Sequence, residues 1–322
     1  MLGLAGWVGC GGPGAAPDAA LSSTIPISPE GRFVVASELG IPIPPAAGPV
    51  LATLAAATDG PDDPTRYLVD RMIASLPDGA TRAIATQVAP YVAAYLNARL
   101  ADIAPGFVAG LDAIAGGLSR IASHLGTVET LQLDATGVGV RTITGVRFEL
   151  GAAAITVRFA DCGLADIAVG VHVALDTWGQ LTIADHSHAL PYGALLRLGL
   201  DRAIAPSVAP AATDLASALA ALVDCDRLGA LVADRVGVGV PALYRAACRA
   251  GMIAIAGDLD DQLAAIDGSP VGLEVTGVAT GVDLDGDGTM DAVRTGTWSG
   301  SLYATGAREP ILAASFTAAE TP

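Results

Sequence analysis

The sequence predicts an α+β fold in which long alanine-rich helices pack on antiparallel sheet, in the order helices, strands, helices, strands. Three observations predict it. Apolar residues recur at helical spacing up to about residue 125 and again from about residue 190 to 268. After Gly126, and again after Val271, they alternate at every second residue as half-buried strands do. The apolar set makes up 52 % of 322 residues and mean hydropathy is +0.53, so the chain has the means to bury a core and is not of the disordered class. Residues 46–322 read as a single α+β body, helical over 46–125, strands over 126–189, helical over 190–268 and strands again over 269–322.

The elements follow in order. Asp63 and Pro64 mark a helix start, and TRYLVDRMIASL carries apolar residues at helical spacing until Pro77, Asp78 and Gly79 stop it. A second helix runs from about Thr81 to Ile103 with a kink at Pro90, and a third from about Pro105 to His124. Val146, Phe148 and Leu150 then alternate with Arg147 and Glu149, and Ile155, Val157 and Phe159 with Thr156 and Arg158. In the next strand Ile167, Val169, Val171, Val173 and Leu175 share one side, while Ala168, Gly170, His172 and Ala174 make a side small enough for a helix to lie against. The turn Asp176–Gly179 returns the chain into QLTIADH. Helices resume from about Leu190 to Asp267, broken by Pro206, Pro210, Gly229 and GVGVP. From about Thr127 to Leu228 this element order resembles the tubular lipid-binding superfamily. That resemblance implies a carrier of an apolar small molecule or lipid, with Val171 and Phe148 lining its cavity; the alternative is that these faces fill a solid core.

Composition excludes several functions. With 33 acidic against 17 basic side chains the formal charge is −16, and every basic residue is arginine. No lysine means no Walker-type phosphate loop and no Schiff-base chemistry. The negative charge repels nucleic acid and anionic membrane alike, and at 4 % the aromatics are too few for a single-strand stacking platform. No uninterrupted apolar run reaches the roughly 18 residues of a membrane-spanning helix.

The segment MLGLAGWVGC is apolar and ends in Gly9 before Cys10. It resembles a bacterial lipoprotein cleavage box. The resemblance implies that residues 1–10 are a signal remnant, that Cys10 carries lipid, and that the protein is exported to the periplasm, outer membrane or cell surface, touching membrane only through that anchor. The alternative is an incidental cysteine in a free N-terminal segment. Residues 11–45, rich in Gly, Pro and Ala, read as a flexible tether, with the proline-punctuated part extended rather than helical.

The most specific motif is GVDLDGDGTMDAV, residues 281–293. Asp283, Asp285 and Asp287 take the first, third and fifth places of a calcium loop, Gly288 the sixth, Thr289 the seventh through its backbone carbonyl, and Asp291 the ninth. Four carboxylates this close repel unless a cation sits among them, and a hard ion such as Ca²⁺ wants the oxygens that alternate aspartates direct inward. The pattern is similar to the calcium loops of dockerins, thrombospondin type 3 repeats and FG-GAP repeats. Arg294 stands where a full EF-hand has its bidentate glutamate, and strand-like flanks favour a structural hairpin loop over a calcium sensor. The alternative is an acidic turn with no ion.

Of four cysteines, Cys225 and Cys248 flank helical segments joined by GVGVP, so an antiparallel hairpin would bring them into a disulfide; a link to Cys162 is the alternative. His186 and His188, two apart on a strand beside Asp185, are a candidate transition-metal site, against the plainer reading of polar residues at a strand end. No nucleophile elbow is present, and Ser187 between the two histidines points the opposite way from both. The function expected is therefore an exported, lipid-anchored, calcium-binding envelope or cell-surface protein with a non-enzymatic binding or structural role. Carriage of an apolar ligand, or metal-dependent hydrolysis by Asp185, His186 and His188, are the alternatives.

Overall fold

Inward-pointing apolar residues on alternate positions need a surface to bury against, and in this protein the sheet supplies it by closing on itself. The computed structural model describes residues 27–58, 65–100, 104–151 and 153–321. Among them ten strands form one antiparallel sheet: β1 (Gly31–Gly40), β2 (His124–Leu133), β3 (Val138–Leu150), β4 (Ala153–Arg158), β5 (Ile167–Leu175), β6 (Gln180–Ala189), β7 (Val271–Val282), β8 (Ala292–Ala304), β9 (Ala307–Pro310) and β10 (Ala313–Glu320). The path β10-β1-β2-β3-β5-β6-β7-β8 returns to β10 through pairs such as Phe316 with Gly296 and Ala318 with Val293. Eight strands thus make a closed barrel, while β4 extends β3 and β9 extends β8.

The expected α+β arrangement of helices lying on a sheet is overturned. The face of β5 read as a helix seat, Ala168, Gly170, His172 and Ala174, is exposed on the outer wall, and the opposite face points into the barrel. An eight-stranded barrel is just wide enough for side chains to fill. Phe33, Val35, Leu131, Ile143, Val173, Leu181, Ile183, Val275 and Phe316 fill this one. Closure also removes the sheet edges that a flat sheet of this length would expose. β1 lies within the stretch read as tether: Phe33, Val35 and Leu39 alternate inward with Ser37, and the strand is extended as proposed but fully part of the barrel.

Both helical segments interrupt the barrel at one end. The first leaves from Gly40 and returns at His124, which pair with each other, and comprises α1 (Gly48–Thr58), α2 (Thr65–Ala74), α3 (Ala80–Asn97) and α4 (Phe107–Ser123). The expected start at Asp63–Pro64 and the expected end at Ile103 lie outside the described residues; α3 runs through Pro90. The second segment leaves after Ala189, paired with Gly272, and comprises α5 (Tyr192–Gly199), a π turn at Leu200–Ile204, α6 (Ala205–Val208), α7 (Leu215–Leu222), α8 (Cys225–Val236) and α9 (Pro241–Asp267). The long α9 packs against α1, α2, α5, α7 and α8. The two segments meet where Tyr192 donates its hydroxyl to the Ala122 carbonyl at 2.5 Å, and where the Asp267 carboxylate accepts the free amides of Gly193 and Ala194 at the start of α5.

Helices α8 and α9 form the antiparallel hairpin expected from GVGVP. Gly237 ends α8 in the left-handed region at φ 72°, and at Gly229 a Cβ would meet the Arg245 amide nitrogen at 2.7 Å, so only glycine lets the helices approach. Cys225 and Cys248 are joined by a disulfide across this hairpin, and Cys162 is a half-buried free thiol. The bridge spans a sequence separation of 23 residues. Loop-closure entropy over such a span gives an expected loss of about 3 kcal/mol for Cys225→Ala with Cys248→Ala. Urea unfolding of the double variant beside wild type measures it; a loss well under 1 kcal/mol would show that the unfolded hairpin is already compact.

The end of the barrel opposite the helices carries the β2–β3, β5–β6 and β7–β8 turns, the start of β1 and the end of β10. It is the loop end.

Candidate functional site

The β7–β8 hairpin tip, residues 283–291, is built by its own carboxylates. Asp283 accepts the amides of Gly286 at 2.6 Å and Gly288 at 2.9 Å, Asp285 accepts that of Asp287, and Asp287 accepts both the amide and the hydroxyl of Thr289. Gly286 and Gly288 take φ values of 82° and 87°, the left-handed conformation that lets the chain fold back on these aspartates. The Thr289 hydroxyl and amide hold the Asp287 carboxyl below the ordinary carboxylate range. Asp291 closes the loop by accepting the Leu284 amide.

These turns bring one carboxylate oxygen from each of Asp283, Asp285 and Asp287 within 4.8 Å of one another. Two ligands on opposite sides of a calcium ion at its usual 2.3–2.6 Å stand about 5 Å apart, so the three oxygens fit within one coordination sphere. Oxygen donors only, all hard, suit calcium over the softer transition metals. Three carboxylates leave positions for the Thr289 carbonyl, for Asp291 and for water; Arg294 lies exposed on β8 and offers none. The loop is anchored from outside as well. Ser28 pairs with it on both sides, its amide donating to Gly288 O and its carbonyl accepting from Met290, while the Glu320 amide donates to Asp291 O. Met290 is fully buried beneath.

A second polar constellation lies inside the barrel. Arg141 on β3 grips Glu129 on β2 with two hydrogen bonds, Nε to Oε2 at 2.5 Å and Nη2 to Oε1 at 2.7 Å, and its Nη1 donates to His186 Nε2 at 2.9 Å. His186 Nδ1 faces the Ala184 carbonyl at 2.9 Å and so carries the hydrogen, leaving Nε2 to accept. Thr127 also donates to Glu129, Trp298 Nε1 donates to Ser37 Oγ at 3.1 Å, and the Arg141 guanidinium stacks 4.5 Å from the Trp298 ring. Burial alone would raise the Glu129 carboxyl, but the charge of Arg141 and hydrogen bonds from Arg141, Thr127 and Ser37 hold it below its ordinary range. His188 is 94 % buried, being 6 % exposed, and neither of its ring nitrogens has a hydrogen-bond partner. Burial, then the charge of Arg141, pushes its pKa down to about 4, and the same two causes lower that of His186.

His186 and His188 therefore share a face, as their spacing required, with ring centroids 6.3 Å apart. They are not assembled with Asp185. The register slips between Ile183 and His186, which leaves Asp185 exposed on the outer wall while both imidazoles enter the core. His186 spends both nitrogens on Arg141 and Ala184, and a neighbouring guanidinium repels any cation. Among the described residues, Asp283, Asp285 and Asp287 are the group of three acidic, histidine or cysteine side chains close enough together that they could hold a metal ion.

Glu129 and Arg141 were missed in the sequence, and a signal for them existed. Each stands at an inward phase of its strand, between Thr127 and Leu131 or beside Ile143, where an unpaired charge has no place. Next to this pair, between Val35, Leu131, Val171 and Phe316, the barrel leaves a void of about 10 Å³. An apolar ligand needs some hundreds of Å³, so this interior is a filled core, and Phe148 is buried against Gly199 of the second helical segment. The larger hollows lie on the outside, one of about 340 Å³ where Glu38, Arg147 and Glu149 on the wall face Arg120 and His124. Cys10 lies outside the described residues.

No family model, no curated protein and no solved structure matches the chain.

Proposed function

We propose that this chain is an exported, lipid-anchored protein of the cell envelope or surface, that its loop end binds calcium, and that its role is binding or structural rather than catalytic. The observation that carries the reading is the convergence of Asp283, Asp285 and Asp287 at a hairpin tip. The disulfide between Cys225 and Cys248 supports a compartment outside the reducing cytoplasm, where calcium is also plentiful. A lipid on Cys10 is the anchor this reading supplies.

Calcium would act here on the seam of the barrel. The aspartate loop is hydrogen-bonded to Ser28 just before β1 and to Glu320 at the end of β10. β10 is the strand that closes the barrel by pairing with both β1 and β8. An ion that rigidifies the loop therefore ties together the strands at both ends of the described chain.

Calorimetry and thermal melting test the proposal together. At a calcium concentration 100 times the dissociation constant, binding to the folded state alone adds about 2.7 kcal/mol. The melting temperature is expected to rise by about 5 °C in millimolar calcium over chelator. Asp285→Ala is expected to abolish both the binding heat and that rise. A variant that keeps them would sink the calcium reading.

A further inference from the structure

We propose that the loop end of the barrel lies against a bilayer of zwitterionic lipid, with the Trp178 indole at headgroup level. The proposal rests on the lipid-anchored reading above and adds the face that meets the membrane. Trp178 is 85 % exposed at the tip of the β5–β6 turn. Its presentation is built rather than loose: the Asp176 carboxylate accepts the Trp178 and Gln180 amides, each at 2.8 Å, and Gly179 O accepts the Gly281 amide from the neighbouring hairpin. That hairpin carries Leu284, 61 % exposed, and Val138 stands exposed at the nearby start of β3. Tryptophan with one wet and one apolar edge is the side chain that membrane interfaces favour.

Two features of the fold select the occupant. All described helices gather at the opposite end, which leaves these tips uncovered among the described residues. The chain also enters the barrel here, since Ser28 is hydrogen-bonded into the aspartate loop. Only 16 residues separate Cys10 from Ile27. A random coil of that length averages about 22 Å end to end, less than the width of the body, so a lipid on Cys10 favours this end over the helical one. One indole and one leucine retain a free protein weakly, but a tether makes the contact intramolecular and raises its effective concentration. Asp283, Asp285, Asp287 and Asp291 repel anionic headgroups, whereas the ammonium of phosphatidylethanolamine, or its phosphate across a bound cation, suits them.

The test couples the full chain through Cys10 to a maleimide lipid in phosphatidylethanolamine and phosphatidylcholine vesicles in millimolar calcium, on a Trp7→Phe, Cys162→Ser background. Brominated acyl chains are expected to quench the Trp178 contribution at least twofold, and Trp178→Phe to remove that quenching, while buried Trp298 stays bright. Quenching that Trp178→Phe leaves unchanged overturns the proposal. So does calcium-dependent self-association of the uncoupled chain that Trp178→Ser abolishes, because the occupant would then be a second copy. Calorimetry on the same sample separates the readings: calcium heat without quenching sinks the docking alone, and quenching without calcium heat sinks the calcium site alone. Chemical coupling also makes the result independent of cellular acylation, which the mass of the membrane-extracted chain reads directly.

Discussion

Removing either half of the ion pair inside the barrel is expected to cost about 3–5 kcal/mol, a large share of the 5–15 kcal/mol that holds a typical domain folded. Glu129→Ala leaves the Arg141 guanidinium, 3 % exposed, with only the His186 nitrogen and the Trp298 ring for company. Arg141→Ala leaves a fully buried carboxylate held by Thr127 and Ser37 hydroxyls. Neither remnant reaches water, so each single variant bears the desolvation of a charge that has lost its partner. The double variant Glu129→Leu with Arg141→Met removes both charges and keeps volume, and is expected to lose much less than the sum of the singles. It should still fall about 1–3 kcal/mol below wild type, because Ser37, Thr127 and His186 all lose hydrogen bonds that the pair supplied. Urea unfolding followed at Trp298, which packs on Arg141, reads all three variants. Single variants within 1 kcal/mol of wild type would mean that water enters the barrel core and that the pair is not desolvated.

What the sequence made legible was local. The change from helical to alternating period, the third helix, the β5–β6 turn, the hairpin with its two cysteines and the shared face of His186 and His188 all follow from spacing over 23 residues or fewer. Barrel closure does not. It depends on β10 pairing with both β1 and β8, partners as far apart as Phe33 and Glu320, and no period within either strand reports that register. Alternation says that Ala168 and Gly170 face away from Val171, but not whether a helix or water covers them. β1 was hidden by its proline-rich neighbours, although Phe33, Val35 and Leu39 alternate plainly. The aspartate loop was legible because its ligands are neighbours in the chain. The barrel's polar cluster was not, because Arg141 and His186 meet across 45 residues and the bulge that turns Asp185 outward leaves no mark in composition.

The same cluster makes the protein sensitive to mild acid. His188 titrates at about 4 in the folded state against 6.5 when free, because burial without a hydrogen-bond partner disfavours the imidazolium and Arg141 repels it. The folded state thus binds fewer protons than the unfolded one between these values. Stability is full above pH 6.5 and falls as pH drops from 6.5 toward 4, by about 3 kcal/mol at about 1.4 kcal/mol per unit. His186, also lowered, adds to the loss in the same direction. Glu129, held below its ordinary 4.5, begins to weaken the fold only as pH falls under that value, so the slope between pH 6.5 and 4.5 belongs to the histidines. Glu38 and Asp201, both raised by burial, act with opposite sign, but each is partly exposed and contributes little. His188→Leu removes two unsatisfied nitrogens and the titration at once. It is expected to stabilise the protein by about 1–3 kcal/mol at pH 7 and to flatten the acid slope, with urea unfolding in chelator keeping the aspartate loop out of the comparison. A wild-type stability that stays level from pH 7 to 5 would require the barrel to admit water to His188, and the first prediction would then fail with this one.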